Sequence, residues 1–437
     1  MKNEGTYEWV KTIWLLVSVV AIVMLGSTAV AENANGRNKI LAGYFEEWSI
    51  YGANYNVANL QQNGVADRTS HLIYAFGNVA GPNGADAQCH LADPWADYQD
   101  PFLPSVNGNP YTNWPFGNFG ALIQLKQLHP NLKIMISLGG ASTTNTAGFA
   151  YAASTPALRH QLVASCIDMF IKGNIGTDWS GNPVSIGDLI DGIDIDWEFP
   201  TAADTTNFTL LLQEFRSQLN ALSEVTGSRY WLSMFAPAGS QNYSNIQLAA
   251  VAKQLNFLNL QGYDFHGTWE SITNHASPLF DSPNDPSFGQ GLDIEDTTKA
   301  YLAAGVPGRK ILVGVPFYGR GWTGVPDKNG GLYQPSTGPA PSPAGDSLQT
   351  DGVATFLTLE SLPGFKPYFD FLSLAQWTYR VDTQTFWTFD NPDTVALKMQ
   401  YVRLRVPGGL GGAYFWAFKD DDANGTLAKQ MAEGLGR

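Results

Sequence analysis

The 437 residues are 44% hydrophobic and only 15% charged, enough apolar material to bury a large core, which excludes an intrinsically disordered chain. Asp and Glu outnumber Lys and Arg by 39 to 25, and the resulting net charge of −14 repels a phosphate backbone, arguing against nucleic acid as a partner. Length alone allows two or three domains, yet a single α/β barrel also reaches this size.

The chain opens on a processing signal. Residues 13–25 are almost all apolar and lead to Ala29-Val30-Ala31, an h-region with an A-x-A site that is too short for a comfortable membrane span. Removal of residues 1–31 and export of residues 32–437, extracellular or periplasmic, is expected. Lys2 and Lys11 are offset by Glu4 and Glu8, so an uncleaved anchor is the alternative. Cys89 and Cys166 are the only cysteines. Export permits a disulfide between them, two buried thiols fit equally well, and no Cys/His cluster has metal-ligand spacing.

Strand-like runs follow at residues 40–45, 71–77, 133–139, 192–198, 231–237, 257–264, 310–316 and 412–416. Ile311-Leu312-Val313-Gly314-Val315 is continuous rather than alternating, as expected of a parallel strand covered on both faces. Helical patterns fill the intervals. Thr155-Pro156 reads as an N-cap and N1 pair, and Phe208, Leu211, Leu212, Phe215, Leu219 and Leu222 repeat at spacings of 3 and 4. Eight strands alternating with helices predict an α/β fold, a closed (β/α)8 barrel, with an open doubly wound sheet as the weaker alternative.

Two connections exceed ordinary loop length, and each follows a strand, which in a barrel places it at the C-terminal face. Residues 78–118 carry Trp95, Tyr98, Phe102, Tyr111, Trp114 and Phe116 and read as a wall of a substrate cleft. Residues 323–390 contain turn clusters and apolar runs of their own and read as a small α+β insertion between strands seven and eight.

The most informative stretch is Asp191-Gly192-Ile193-Asp194-Ile195-Asp196-Trp197-Glu198-Phe199-Pro200. Alternate side chains of a strand share a face, so Asp194, Asp196 and Glu198 climb the barrel interior while Ile193, Ile195 and Trp197 face the helices. Asp191 has the opposite parity and is expected to serve structure at the strand entrance. Three stacked acids repel one another and pay for desolvation, so they must share protons, accept hydrogen bonds or pair with cations. A carboxylic acid held protonated at a cleft mouth is what donation to a glycosidic oxygen requires. A divalent-metal site is the rival reading, weakened because a rigid i, i+2, i+4 ladder spreads its oxygens too far to ring one ion.

This segment resembles the D-G-x-D-x-D-W-E-[YF]-P signature of the family 18 glycoside hydrolases, the chitinase family. Gly43-Tyr44-Phe45 with Trp48, Ser137-Leu138-Gly139-Gly140, Tyr263-Asp264-Phe265-His266-Gly267, Pro316-Phe317-Tyr318-Gly319-Arg320-Gly321 and Gly412 to Trp416 resemble further family segments in order. The likeness covers about residues 40–435, and the 323–390 insertion is similar to the chitinase insertion domain of the deep-cleft subgroup.

The resemblance implies a secreted hydrolase of β-1,4-linked N-acetylglucosamine that acts with retention, using the substrate's acetamido oxygen as nucleophile. Glu198 would be the general acid and then the base. Asp196 would orient the acetamido group while sharing a proton with Asp194. Tyr263 would bond the acetamido oxygen, Asp264 would hold the distorted sugar, and Trp416 would floor the subsite with Tyr318 and Arg320 beside it. Trp269 would stack on the leaving-group side, and Phe45 and Trp48 on the other. It implies no metal or cofactor, chitin or its oligosaccharides as partner, no membrane contact after signal removal, and a monomer. An endo-β-N-acetylglucosaminidase acting on glycoprotein glycans and a chitin-binding lectin are the alternatives; the large insertion argues against the first and the presence of Glu198 against the second.

Overall fold

A computed structural model describes residues 39–437, and the export signal inferred at 1–31 lies outside the described residues. Eight parallel strands close a barrel: β1 (Ile40–Glu46), β2 (His71–Asn78), β3 (Lys133–Gly140), β4 (Gly192–Trp197), β5 (Trp231–Ala236), β6 (Phe257–Leu260), β7 (Ile311–Pro316) and β8 (Gly412–Trp416). Each strand pairs with the next, and β1 pairs with both β2 and β8, so no edge is left in the ring. Every strand starts within one residue of its predicted start. The largest difference is at β6, which ends at Leu260 where the sequence predicts extension to 264. Asp264 sits at φ 57°, a left-handed conformation that no strand accommodates, and the chain turns there toward the cleft.

Alternation along the strands builds two apolar layers. Ile193 and Ile195 face outward into the layer beneath the helices. Trp197 stacks on Phe149 at 5.3 Å and meets the edge of Phe208 at 5.6 Å, so truncating it to alanine would cost about 3–5 kcal/mol. Ala42, Ile73, Met135, Phe257, Leu312 and Tyr414 fill the interior. Its lower end is plugged by Trp231 and Phe257 around His71, at 4.6 and 5.4 Å. Burial holds the His71 imidazole near a pKa of about 3, so the plug is uncharged at neutral pH.

The helices are capped as their sequences dictate. Ser142 accepts from the Asn145 amide to start Thr143–Ala153, and Thr155 accepts from Leu158 ahead of Pro156. The helix Thr205–Thr226 buries Phe208, Leu211, Leu212, Phe215 and Leu219 and stops at Gly227, whose φ of 73° suits glycine.

After β7 a single residue, Phe317, intervenes before an antiparallel sheet begins at Tyr318. Tyr318–Thr323 pairs with Gly338–Pro339, Val353–Thr355 and Thr385–Thr388, and the sheet continues through Ala375–Arg380 to Lys366–Asp370. It has its own core of Trp322, Val325, Leu332, Trp377, Tyr379 and Phe386. The sheet thus starts ahead of the expected boundary at 323, because Tyr318 and Arg320 lie on its first strand.

The aromatics of residues 78–118 do not form the expected cleft wall. Tyr98, Trp114 and Phe116 pack on one another, and Trp114 and Phe116 pack on Trp179, which lies between the hairpin strands Asn174–Thr177 and Pro183–Ser185. Of this segment only Asn78 and Ala92 line the cleft. A disulfide between Cys89 and Cys166 ties it to the helix Pro156–Cys166.

Candidate active site

At the C-terminal face of the barrel a cavity of about 520 Å³ receives Asp196, Glu198, Tyr263, Asp264, Tyr318, Trp48 and Trp416. The parity of β4 sends Asp194, Asp196 and Glu198 up the same interior face, with Asp194 deepest and fully buried. Ser137 of β3 and Ser233 of β5 stand in register with Asp194 on either side. Both hydroxyls donate to it, at 2.8 and 2.6 Å, and Tyr44 Oη and Asn259 Nδ2 add bonds of 2.8 and 3.2 Å. Burial raises the Asp194 pKa while these donors oppose the rise. Of the three acids, Asp194 is the one equipped to carry negative charge.

One step up, the flanking residue on β3 is Gly139, at φ 116°, and a Cβ there would come within 2.2 Å of the Asp196 carbonyl oxygen. With no side chain alongside, Asp196 Oδ1 is buried without a donor. Burial first, then the charges of Glu198 and Asp194, push the Asp196 pKa well upward. Glu198 is the next acid up the same face, and neighbouring carboxyls disfavour ionising together. Asp196 is therefore disposed to keep a proton, with Asp194 below it and Glu198 above it on the same face. Glu198, at the mouth, has a pKa raised to about 7 by burial and by the charge of Asp264.

Tyr414 Oη donates to Tyr263 Oη at 3.2 Å, which leaves the Tyr263 proton free to point into the cleft. Arg320 Nε and Nη2 each reach an oxygen of Asp264 at 2.8 Å, and Tyr318 Oη donates to the same carboxylate at 2.7 Å. Arg320 does not line the cavity; it acts on it through Asp264. Trp269, 59% exposed, lies against the Arg320 guanidinium at 5.4 Å, outside the central cavity.

Trp416, Phe76 and Trp48 form a continuous aromatic run, with ring centroids 5.7 and 6.0 Å apart. Phe76 escapes the sequence reading because a register shift between Ala75 and Gly77 interrupts the alternation of β2. Tyr44 also lines the cavity and was not singled out. Phe45 does not reach the cleft: it is 1% exposed and packs outward against Tyr55 and Tyr74. The two-residue period of β1 gives the interior to Tyr44 and the helix side to Phe45. Asp191 lies below the ladder, bonded to Lys126 at 2.7 Å and to the Ile134 amide at 2.8 Å. Among the described residues, one group of carboxylates is close enough to hold a metal, Asp281, Asp293 and Asp296, and none of them lines the cleft.

The chain is 31% identical to Chitinase A1 of Niallia circulans over 96% of its own length, and it spans 62% of that protein. It is 31% identical to Endochitinase 1 of Metarhizium robertsii, with 94% of this chain and 88% of that protein covered. The solved catalytic domain of psychrophilic chitinase B from Arthrobacter TAD20 superposes with a TM-score of 0.80 at 32% identity, covering 92% of this chain and 96% of that one. With residues 40–421 matching Glycosyl hydrolases family 18 as a whole, the chain belongs to that family.

Proposed function

We propose that the barrel is an exported, monomeric chitinase that cleaves β-1,4 linkages between N-acetylglucosamine units with retention of configuration. The observation that carries this reading is the ladder of three acids on one interior face, with Glu198 at the mouth, its pKa raised by burial, above an Asp194 held by hydroxyl and amide donors. The chitinase names of the relatives support the substrate class. Among the described residues no helix is long and apolar enough to cross a membrane.

In the first step Glu198 gives its proton to the glycosidic oxygen as the bond from C1 to that oxygen breaks, and the bonding pair leaves with the oxygen. The acetamido carbonyl oxygen of the same sugar attacks C1 and forms an oxazolinium ion. Asp196 turns its carboxylate to the acetamido N–H and balances the positive charge, while Tyr263 donates to the acetamido oxygen. In the second step water attacks C1, Glu198 takes its proton, and the ring opens to the β-anomer. Trp416 and Phe76 offer apolar faces for sugar rings.

Incubation with an N-acetylglucosamine tetramer, with products resolved by size and anomer, tests the reading. Disaccharide should appear first as the β-anomer, and Glu198→Gln should lower turnover by at least about a thousandfold while keeping tetramer binding. Near-normal activity in the variant would remove the role given to Glu198. Binding without cleavage by the parent protein would indicate a lectin, and neither binding nor cleavage would redirect the search to branched glycoprotein glycans.

A further inference from the structure

At the opposite end of the barrel a second cavity, of about 720 Å³, opens between the ends of the helices Thr205–Thr226 and Leu248–Gln254 and the starts of β5, β6 and β7. A six-residue strand separates the two ends, placing this cavity roughly 20 Å from the catalytic cleft. Arg216, Arg229, Lys253, Arg309 and Lys310 line it, and no carboxylate does. One fifth of the 25 Lys and Arg residues thus converge on a single depression in a chain of net charge −14.

Two of these cations are fixed in place. Arg216 donates to the carbonyl oxygens of Gln254 and Tyr230 at 3.0 and 3.2 Å and to Asn256 Oδ1 at 3.1 Å. Lys310 Nζ donates to the carbonyl oxygens of Ala252 and Leu255 at 2.7 and 2.6 Å. These bonds position charge without cancelling it. Two helix C-termini together supply roughly −1 elementary charge, against five full cations. The excess is felt by the cations themselves: burial first, then Arg229, lowers the pKa of Arg216, and burial followed by Arg309 and Arg216 lowers that of Lys310. Arg229, Lys253 and Arg309 are exposed and make no ion pair among the described residues. Glu224, the nearest acid along the helix, does not line the cavity.

We propose that this cavity is a binding site for a polyvalent phosphate-type oxyanion, separate from the catalytic cleft. The Arg229 and Arg309 guanidinium forks and the Lys253 ammonium match phosphate oxygens, Arg216 and Lys310 add fixed positive charge, and the space exceeds what one phosphate fills. The overall negative charge of the protein repels anions at long range, so several simultaneous contacts are needed and a single phosphate is held poorly.

Calorimetric titration of the purified protein with tripolyphosphate at low ionic strength tests this, with orthophosphate as the comparison. One saturable site is expected for tripolyphosphate, at least about tenfold tighter than orthophosphate and weakened by added salt. The double variant Arg229→Gln/Arg309→Gln should weaken it by roughly tenfold or more, and single Lys253→Gln by a smaller factor, with tetramer hydrolysis unchanged. Lys328→Gln/Lys366→Gln, the same charge change elsewhere, should leave binding unaltered. Absence of saturable binding, equal affinity for orthophosphate, or equal weakening by the distant pair would each overturn the proposal. Should the arginine double variant fail to fold, Lys253→Gln against Lys328→Gln decides it.

Discussion

Arg320 grips both oxygens of Asp264 at 2.8 Å, and through that ion pair it reaches Glu198, because the Asp264 charge is one cause of the raised Glu198 pKa. In its proposed role Glu198 must be protonated to act as the acid, so turnover should fall as pH rises past about 7. Replacing Arg320 by Met leaves the Asp264 charge less compensated, which favours the protonated form of Glu198 more strongly. The alkaline limb should therefore move to higher pH, while kcat/KM falls by about 10- to 100-fold from lost orientation. Asp264→Asn should move the limb the other way. A pH–rate profile of the two variants checks this, and limbs that stay together would sever the link between Arg320 and Glu198.

Asp196 and Asp191 stand on opposite faces of the same segment, and their replacement should separate chemistry from stability. Asp196→Asn removes the carboxyl proposed to balance the oxazolinium charge; kcat should drop by about 100-fold or more at unchanged melting temperature. Asp191→Asn weakens contacts to Lys126 at 2.7 Å and Lys133 at 3.5 Å, costing roughly 1–3 kcal/mol of stability with activity retained at low temperature. Kinetics and melting curves on both variants decide it, and the reverse ordering would contradict the roles assigned to these two aspartates.

The barrel was legible because its strands are short apolar runs with clear starts, and the ladder was legible because a period of two on β4 admits one arrangement of Asp194, Asp196 and Glu198. What was hidden depends on neighbours that only folding supplies. The donors to Asp194 come from Ser137 and Ser233 on flanking strands, and their register cannot be read from either segment alone. Phe76 was hidden by the irregularity at Ala75, and Phe45 was placed in the cleft by likeness where strand alternation would have chosen Tyr44. The aromatics of residues 78–118 were read as sugar-facing on composition, and two of them, Trp114 and Phe116, instead pack on Trp179 from a distant hairpin.

The Cys89–Cys166 disulfide closes a loop of 77 residues, joining the long connection after β2 to a helix on the barrel exterior. A crosslink across that separation restricts the unfolded chain, and its removal should cost about 2–5 kcal/mol. Cys89→Ala/Cys166→Ala should melt several degrees lower, and reductant should lower the melting temperature of the parent but not of the variant. Since neither cysteine lines the cleft, kcat at low temperature should be unchanged. Equal melting temperatures would mean that the connection is already pinned by its apolar contacts.

Asp97 offers a stability prediction with a defined sign. It is fully buried, Tyr74 Oη donates to its Oδ1 at 2.6 Å, and its Oδ2 has no partner. Burial raises its pKa to about 8, against a value near ~3.9 in an unfolded chain. Below the lower value both states are protonated and the group is neutral in effect. As pH rises through the interval, the unfolded state releases the proton and the folded state keeps it, so stability falls until the folded carboxyl also ionises near pH 8. Asp97→Asn abolishes this titration and preserves an acceptor for Tyr74. Between pH 5 and 8 the variant should therefore lose less stability than the parent, by on the order of 1 kcal/mol per pH unit at most. Thermal melts at the two pH values measure the difference, and parallel losses in both proteins would show that Asp97 does not titrate in that interval.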